Sequence, residues 1–184
     1  MWDHLKFRHG VHPPELKELT ARIAIRRVPY PDEVVLPLRQ HAGKPARPVV
    51  KAGDRVERGD VLAEPDGYVS TPVHASAAGT VEQICLWPHP DGSYAPAVRI
   101  AVDRYSPQAP RPRLVPDWTR LEPPELVEAI RQAGVVGLGG AAFPTHVKLA
   151  PPKDQVVDTV LINGCECAPY LTTAHRTLVE YPAR

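Results

Sequence analysis

A doubled turn narrows the fold more than any other feature of this sequence. The stretch Val50-Lys-Ala-Gly-Asp-Arg-Val-Glu-Arg-Gly-Asp-Val-Leu-Ala63 places Gly53-Asp54 and Gly59-Asp60 at matching points between apolar residues. A Gly-Asp pair ends a strand in a tight turn. Glycine accepts backbone angles that other residues resist, and the aspartate side chain bonds back to its own chain. Two such turns in succession leave room only for very short strands between them. The flanking sequence agrees. Residues 34–38, 48–50, 68–69, 71–73, 78–84 and 97–102 are short β-type runs, the last alternating with period two, and no helical spacing interrupts residues 34–104. Many short strands joined by Gly-Asp turns predict a small all-β barrel or sandwich.

The same series, followed by Ala78-Gly-Thr-Val81, resembles the barrel-sandwich hybrid of lipoyl and biotinyl carrier domains. Those carriers present a lysine on a hairpin tip for covalent attachment. No lysine stands between Lys51 and Lys148, so the tip region, residues 68–77, cannot take lipoate or biotin through an amide. The fold is kept and the carrier function is set aside. His74, on that tip, reads as an exposed or docking side chain.

Beyond the β region the texture changes. Residues 105–122 include Ser106-Pro-Gln-Ala-Pro-Arg-Pro-Arg-Leu-Val-Pro116, an extended, proline-stiffened linker. The expected organisation is an N-terminal extension (1–33), the barrel-sandwich hybrid (34–104), the linker (105–122) and an incomplete α/β domain (123–184). Residues 123–133 read as a helix with Leu126, Val127 and Ile130 on one face. Asp117 is a candidate N-cap, and Gly134 is placed to end the helix in a left-handed cap. Next comes Gly134-Val-Val-Gly-Leu-Gly-Gly-Ala-Ala-Phe-Pro-Thr-His-Val-Lys148. A second helix is expected from near Gly140 toward Leu149. Residues 156–162 are expected as a buried strand ending in Asn163-Gly164, and Thr172 as the cap of a last helix carrying Leu178 and Val179.

Glycines let backbone N–H groups approach a phosphate, and a lysine adds a full charge, so the 134–148 stretch is either a phosphate cradle or a glycine-rich structural turn. It is not a P-loop, because Lys148 stands well past Gly140. It is not the dinucleotide fingerprint, because a helix and not a strand precedes it. At the strand end, Asn163 and Glu166 offer an amide and a carboxylate to a ring edge, with a simple Asx turn as the alternative. Cys165 and Cys167 read as buried packing thiols, with a redox pair as the alternative.

Composition excludes several classes. The 22 basic and 21 acidic side chains give a net charge of +1, which leaves no nucleic-acid footprint. Arg26-Arg27 and the Arg111, Arg113 cluster read as solvated. His4, His9 and His12 lack ligand spacing for a metal. No apolar run is long enough to span a membrane, and the first ten residues lack the apolar core of a signal peptide. The 3 cysteines follow no disulfide framework and fit a reducing compartment.

Taken together, the segments resemble the C subunit of the Rnf electron-transport complex, a membrane-associated NADH:ferredoxin oxidoreductase. The match rests on His9-Gly-Val-His-Pro-Pro-Glu-Leu-Lys17, on Leu36-Pro-Leu-Arg-Gln-His-Ala-Gly-Lys-Pro-Ala-Arg-Pro-Val-Val50 running into Gly53-Asp54, and on Ser70-Thr-Pro-Val-His-Ala-Ser-Ala-Ala-Gly-Thr-Val81. It is completed by the 134–148 stretch with Asn163-Gly-Cys-Glu-Cys-Ala-Pro-Tyr170. The flavin domain of that family is similar to the flavoprotein subunit of respiratory complex I. The resemblance implies that Gly137, Gly139, Gly140 and Lys148 hold the FMN phosphate. It implies that Phe143 lines the nicotinamide side and that Asn163 and Glu166 contact the flavin. It also implies hydride transfer from NADH to FMN, onward passage to 4Fe–4S clusters and ferredoxin, other subunits of a membrane redox complex as partners, and a peripheral place on the cytoplasmic face. The sequence departs from the family pattern at Ala142, where glycine is usual, and at Ala168, where a glutamate is usual. It stops before the rest of the flavin domain and the cluster-binding cysteines. The expectation is a fragment or shortened relative that does not complete electron transfer alone, with a non-catalytic barrel adaptor as the alternative.

Overall fold

The computed structural model of the chain describes residues 13–109, 117–138, 140–151 and 157–182. His4, His9, His12, Arg111, Arg113, Gly139 and Val156 lie outside the described residues. The chain divides into two compact units, Pro29–Val156 and the pair Met1–Val28 with Val157–Arg184.

The first unit contains strands β1 (Glu33–Pro37), β2 (Arg47–Pro48), β3 (Arg55–Val56), β4 (Val61–Glu64), β5 (Val73–His74), β6 (Gly79–Pro88) and β7 (Tyr94–Val102). They form a 4-stranded sheet in the order β1-β7-β6-β3 and a 3-stranded sheet in the order β2-β4-β5. Every pairing is antiparallel. The doubled sequence becomes a doubled structure. The Asp54 carboxylate accepts from the Lys51 N–H at 2.9 Å, and the Asp60 carboxylate accepts from the Glu57 N–H at 2.8 Å. Each turn then reaches across the barrel in the same way. Gly53 N–H donates to the Val81 carbonyl while Val81 N–H donates to Asp54, and Gly59 N–H donates to the Ala75 carbonyl while Ala75 N–H donates to Asp60. Between the sheets Leu36, Leu38, Val56, Leu62, Val73, Val81, Val98 and Ile100 form the buried core. Each buried Leu or Ile contributes about 1.5–3 kcal/mol relative to an exposed one.

Two strand boundaries differ from expectation. The β6–β7 hairpin runs on through Leu86↔Pro96 and Pro88↔Tyr94, because Pro88 ends its strand, where a missing N–H costs little. Residues 68–69 form bends instead of a strand.

The same unit carries the helical segment. Asp117 caps a 3-10 turn, Trp118–Arg120, by accepting from Thr119 N–H at 3.2 Å. It does not cap the helix. Helix α1 (Pro123–Gln132) starts later, with the Glu125 carboxylate accepting from Glu122 N–H at 2.9 Å. The two prolines sit in its first turn, where their missing N–H groups would be unpaired anyway. Helix α2 (Thr145–Lys148) has only 4 residues. It cannot begin near Gly140, because Ala142 is left-handed at φ +49° and Pro144 disfavours helical angles in the residue before it.

The second unit contains a 3-10 turn, Lys17–Leu19, and helix α3 (Thr173–Glu180). Hydrogen bonds stitch it together. Lys17 Nζ donates to the Ala168 and Leu171 carbonyls at 3.1 Å each, Thr20 Oγ1 donates to the Tyr170 carbonyl at 2.6 Å, and Tyr170 N–H donates to the Glu15 carbonyl at 2.9 Å. No apolar residue of this unit is buried among the described residues. The expected buried strand is absent. Residues 157–167 run without a ladder, and Val160, Leu161 and Ile162 are 75%, 90% and 89% exposed. A strand exists only where a neighbour takes its backbone groups, and no described residue does so here. No helix among the described residues is long and apolar enough to cross a membrane.

Candidate functional site

The glycine stretch begins at a helix end. Gly134, at φ +70°, follows α1. Its N–H donates to the Arg131 carbonyl at 2.9 Å, and Val135 N–H donates to Ile130 at 3.4 Å. This is the paired-bond left-handed cap that glycine favours. The chain then closes on itself. Thr145 N–H donates to the Val135 carbonyl and Gly137 N–H to the Phe143 carbonyl, both at 3.0 Å, and Val136 and Pro144 form a bridge. The described residues between Gly137 and Phe143 therefore make a loop pinned at its neck.

Lys148 folds back over this loop. A Cβ built on Gly137 would lie 2.6 Å from Lys148 Nζ. The ammonium thus occupies space that exists only because residue 137 has no side chain. Among the described residues Lys148 makes no ion pair and stays exposed. Gly140 is open, with nothing within 4 Å of its Cβ position. Phe143 is half-buried, and its carbonyl closes the neck. Gly137, Gly140, Phe143 and Lys148 thus belong to one loop and its closing helix, while Gly139 lies outside the described residues. A cleft of about 630 Å³ borders the loop, lined by Gln40, His41, Ala42 and Gly140, Ala141, Ala142. An open glycine loop with a lysine poised above it has the donor set of a phosphate cradle. That donor set suits a phosphate group.

Asn163 and Glu166 belong to the second unit. The Asn163 Oδ1 accepts from Cys165 N–H at 2.9 Å, an Asx turn. The Glu166 carboxylate accepts from His175 N–H at 3.1 Å, in the first turn of α3. Glu166 therefore serves as the cap that the sequence assigns to Thr172, whose side chain makes no capping bond. Cys165 and Cys167 are exposed, not buried, because the ladderless run around them has no core on either side. Nearby, the Arg176 guanidinium holds the Glu180 carboxyl below its ordinary range, helped by the Ile25 N–H.

The sequence reading overlooked the residues that support the loop. His146, 2% exposed, donates from Nε2 to the Tyr68 carbonyl at 2.8 Å. Arg131 Nη2 donates to the Gly67 carbonyl at 3.3 Å, and Ala42 N–H donates to the Ala142 carbonyl at 3.2 Å. The one sequence signal was a histidine set on a different face of the short helix from Lys148.

A model of the RnfC barrel sandwich hybrid domain matches residues 5–105, and one of the Nuo51 FMN-binding domain matches residues 130–184. The chain is 44% identical over 177 residues to the C subunit of the proton-translocating ferredoxin:NAD(+) oxidoreductase complex of Clostridium ljungdahlii, covering 95% of this chain and 38% of that protein. It is 41% identical to the Na(+)-translocating counterpart of Acetobacterium woodii, covering 96% of this chain and 40% of that one. It is 39% identical to the C subunit of the ion-translocating oxidoreductase complex of Edwardsiella ictaluri, covering 100% of this chain and 22% of the relative. The chain therefore spans well under half the length of these relatives.

Proposed function

This chain belongs to the RnfC family, and on that premise we propose that it supplies the phosphate-holding part of an FMN site. That site would work within a multi-subunit, membrane-associated complex that passes electrons from NADH toward iron–sulfur centres and ferredoxin. The chain carries the barrel-sandwich region and a portion of the FMN-binding domain of such a protein. The observation that carries the reading is the Lys148 ammonium lying over Gly137. In this role Lys148 neutralises phosphate charge, Gly137 leaves room for the lysine, and the backbone N–H groups of Gly139 and Gly140 would donate to the phosphate oxygens. By resemblance to the family, Phe143 would line the nicotinamide side and Asn163 and Glu166 would contact the flavin. Bound FMN supplies the exchange between a two-electron hydride donor and one-electron acceptors. The other subunits of the complex are the partners, and the chain's place is peripheral on the cytoplasmic face.

An FMN titration followed by flavin fluorescence tests the proposal. Saturable quenching is expected. Lys148→Ala should weaken it about ten- to hundredfold, as losing a charge-assisted hydrogen bond of roughly 1.5–3 kcal/mol implies. A folded chain that leaves FMN fluorescence unchanged at every concentration would overturn the FMN role and favour the barrel adaptor.

A further inference from the structure

We infer that the barrel is a working part of the phosphate half-site, and that His146 is the positioning residue through which it acts on Lys148. The inference rests on the FMN reading and extends it to a residue that touches no cofactor.

Helix α2 has 4 residues and cannot hold its own orientation, since so short a helix is unstable unless anchored. Its anchor is His146. The ring is 2% exposed, its Nε2–H donates to the Tyr68 carbonyl at 2.8 Å, and it stands edge-on to the Tyr68 ring at 5.8 Å and 88°. A carbonyl only accepts, so the Tyr68 oxygen fixes the proton on Nε2. Tyr68 belongs to the connection between β4 and β5, the region whose sequence resembles the carrier segment that presents a lysine. Here that connection carries no lysine and instead holds the helix that does. Ala42 N–H ties the loop to the same barrel through the Ala142 carbonyl, and Arg131 ties the preceding helix α1 to it through the Gly67 carbonyl. Gly134 approaches so closely that a Cβ there would lie 2.9 Å from the Pro72 carbonyl oxygen. Lys148 leaves the same short helix as His146, so the rotation of that helix decides whether the ammonium lies over Gly137.

The test compares His146→Leu with His146→Gln in the whole chain. Glutamine can donate to the Tyr68 carbonyl and leucine cannot. FMN and riboflavin affinities are measured together, because riboflavin lacks the phosphate. Acetylation of Lys148 by an amine-reactive ester, followed by mass spectrometry, reports the lysine without any flavin. For His146→Leu the expected result is about tenfold weaker FMN binding with riboflavin affinity nearly unchanged, together with faster Lys148 acetylation. His146→Gln should restore both. Wild-type acetylation and FMN preference in a folded His146→Leu chain would overturn the positioning role while leaving the FMN reading intact. Equal losses in both variants, with a lowered melting temperature, would reduce His146 to packing and also overturn it. If the unaltered chain does not prefer FMN over riboflavin, the phosphate reading fails, and the acetylation comparison still decides whether His146 positions Lys148.

Discussion

The barrel and the segment around α3 are both rich in apolar residues, yet only the barrel buries them. Leu62, Val81, Val98 and Ile100 are fully enclosed. In the second unit Leu161 and Ile162 stand almost wholly in solvent, and the contacts described there are mainly polar, among them hydrogen bonds from Lys17, Thr20 and Arg176 to backbone carbonyls and from Ile25 N–H to Glu180. Such bonds are worth only about 0.5–1.5 kcal/mol each against water, while every side chain enclosed in a packed core adds about 1.5–3 kcal/mol. The barrel therefore carries its own stability. The FMN-domain portion is divided. Its glycine loop is braced by the barrel, and its later part has no core of its own among the described residues.

The sharpest way to break this comparison is a pair of leucine truncations read by urea unfolding. Leu62→Ala should cost about 2–5 kcal/mol, because it leaves a cavity between the sheets. Leu161→Ala should stay within about 0.5 kcal/mol, because an exposed side chain loses little. Similar costs for both would mean that residues 157–162 are packed in solution and that the contrast is wrong.

Two glycines divide fold from site in the same way. Gly134→Ala forces a left-handed residue, at about 1–2 kcal/mol, and drives a methyl group toward the Pro72 carbonyl, so thermal stability should fall. Gly137→Ala makes its one close contact with the far end of a flexible lysine. Its melting temperature should hold while FMN affinity drops as Lys148 is displaced. A stable Gly134→Ala, or an unstable Gly137→Ala, would reverse the assignment of these residues. The smaller change is Ala142→Gly. Ala142 already sits at φ +49°. Relieving it should gain up to about 1 kcal/mol after the added freedom of the unfolded chain is subtracted, read as a modest rise in melting temperature.

The parts legible in the sequence were those whose causes are local. The Gly-Asp turns and the period-two run at residues 97–102 specify the barrel because turn angles and strand alternation depend on near neighbours. Gly134 was legible as a helix cap for the same reason. The 156–162 run was misread because an apolar segment looks identical whether or not something covers it. Cys165 and Cys167 followed it into error. The extent of α2 was misjudged because Ala142 and Pro144 together exclude helical angles that neither rules out alone. Gly137 and Lys148 stand in one short stretch of sequence, but the Tyr68 carbonyl that anchors His146 is 78 residues away in the chain, and no local pattern announces it.

The smallest expected effect is also the one that separates the two regions by pH. Glu180 is held below its ordinary range chiefly by the Arg176 guanidinium and next by the Ile25 N–H, which donates to its carboxylate at 3.0 Å. Asp91 is lowered in the barrel hairpin, chiefly by the Ser93 hydroxyl, then by the Ser93 N–H and His89. A carboxyl with a depressed folded pKa stabilises the fold above its unfolded value, about 4, and the contribution fades as pH falls through the folded value. Both clamps therefore weaken on acidification, with different consequences. Losing the Asp91 contacts loosens a turn whose strands stay paired from Pro88↔Tyr94 to Gly79↔Val102. Losing the Glu180 contacts removes a main tie between residues 25 and 180 in a unit without a buried apolar side chain among the described residues. Amide exchange below pH 4 should rise first in α3, while β6 and β7 remain protected. Glu180→Gln should make α3 exchange quickly at neutral pH and flatten its acid response. If α3 and β7 lose protection together as pH falls, the second unit draws its stability from the barrel and not from its own hydrogen bonds.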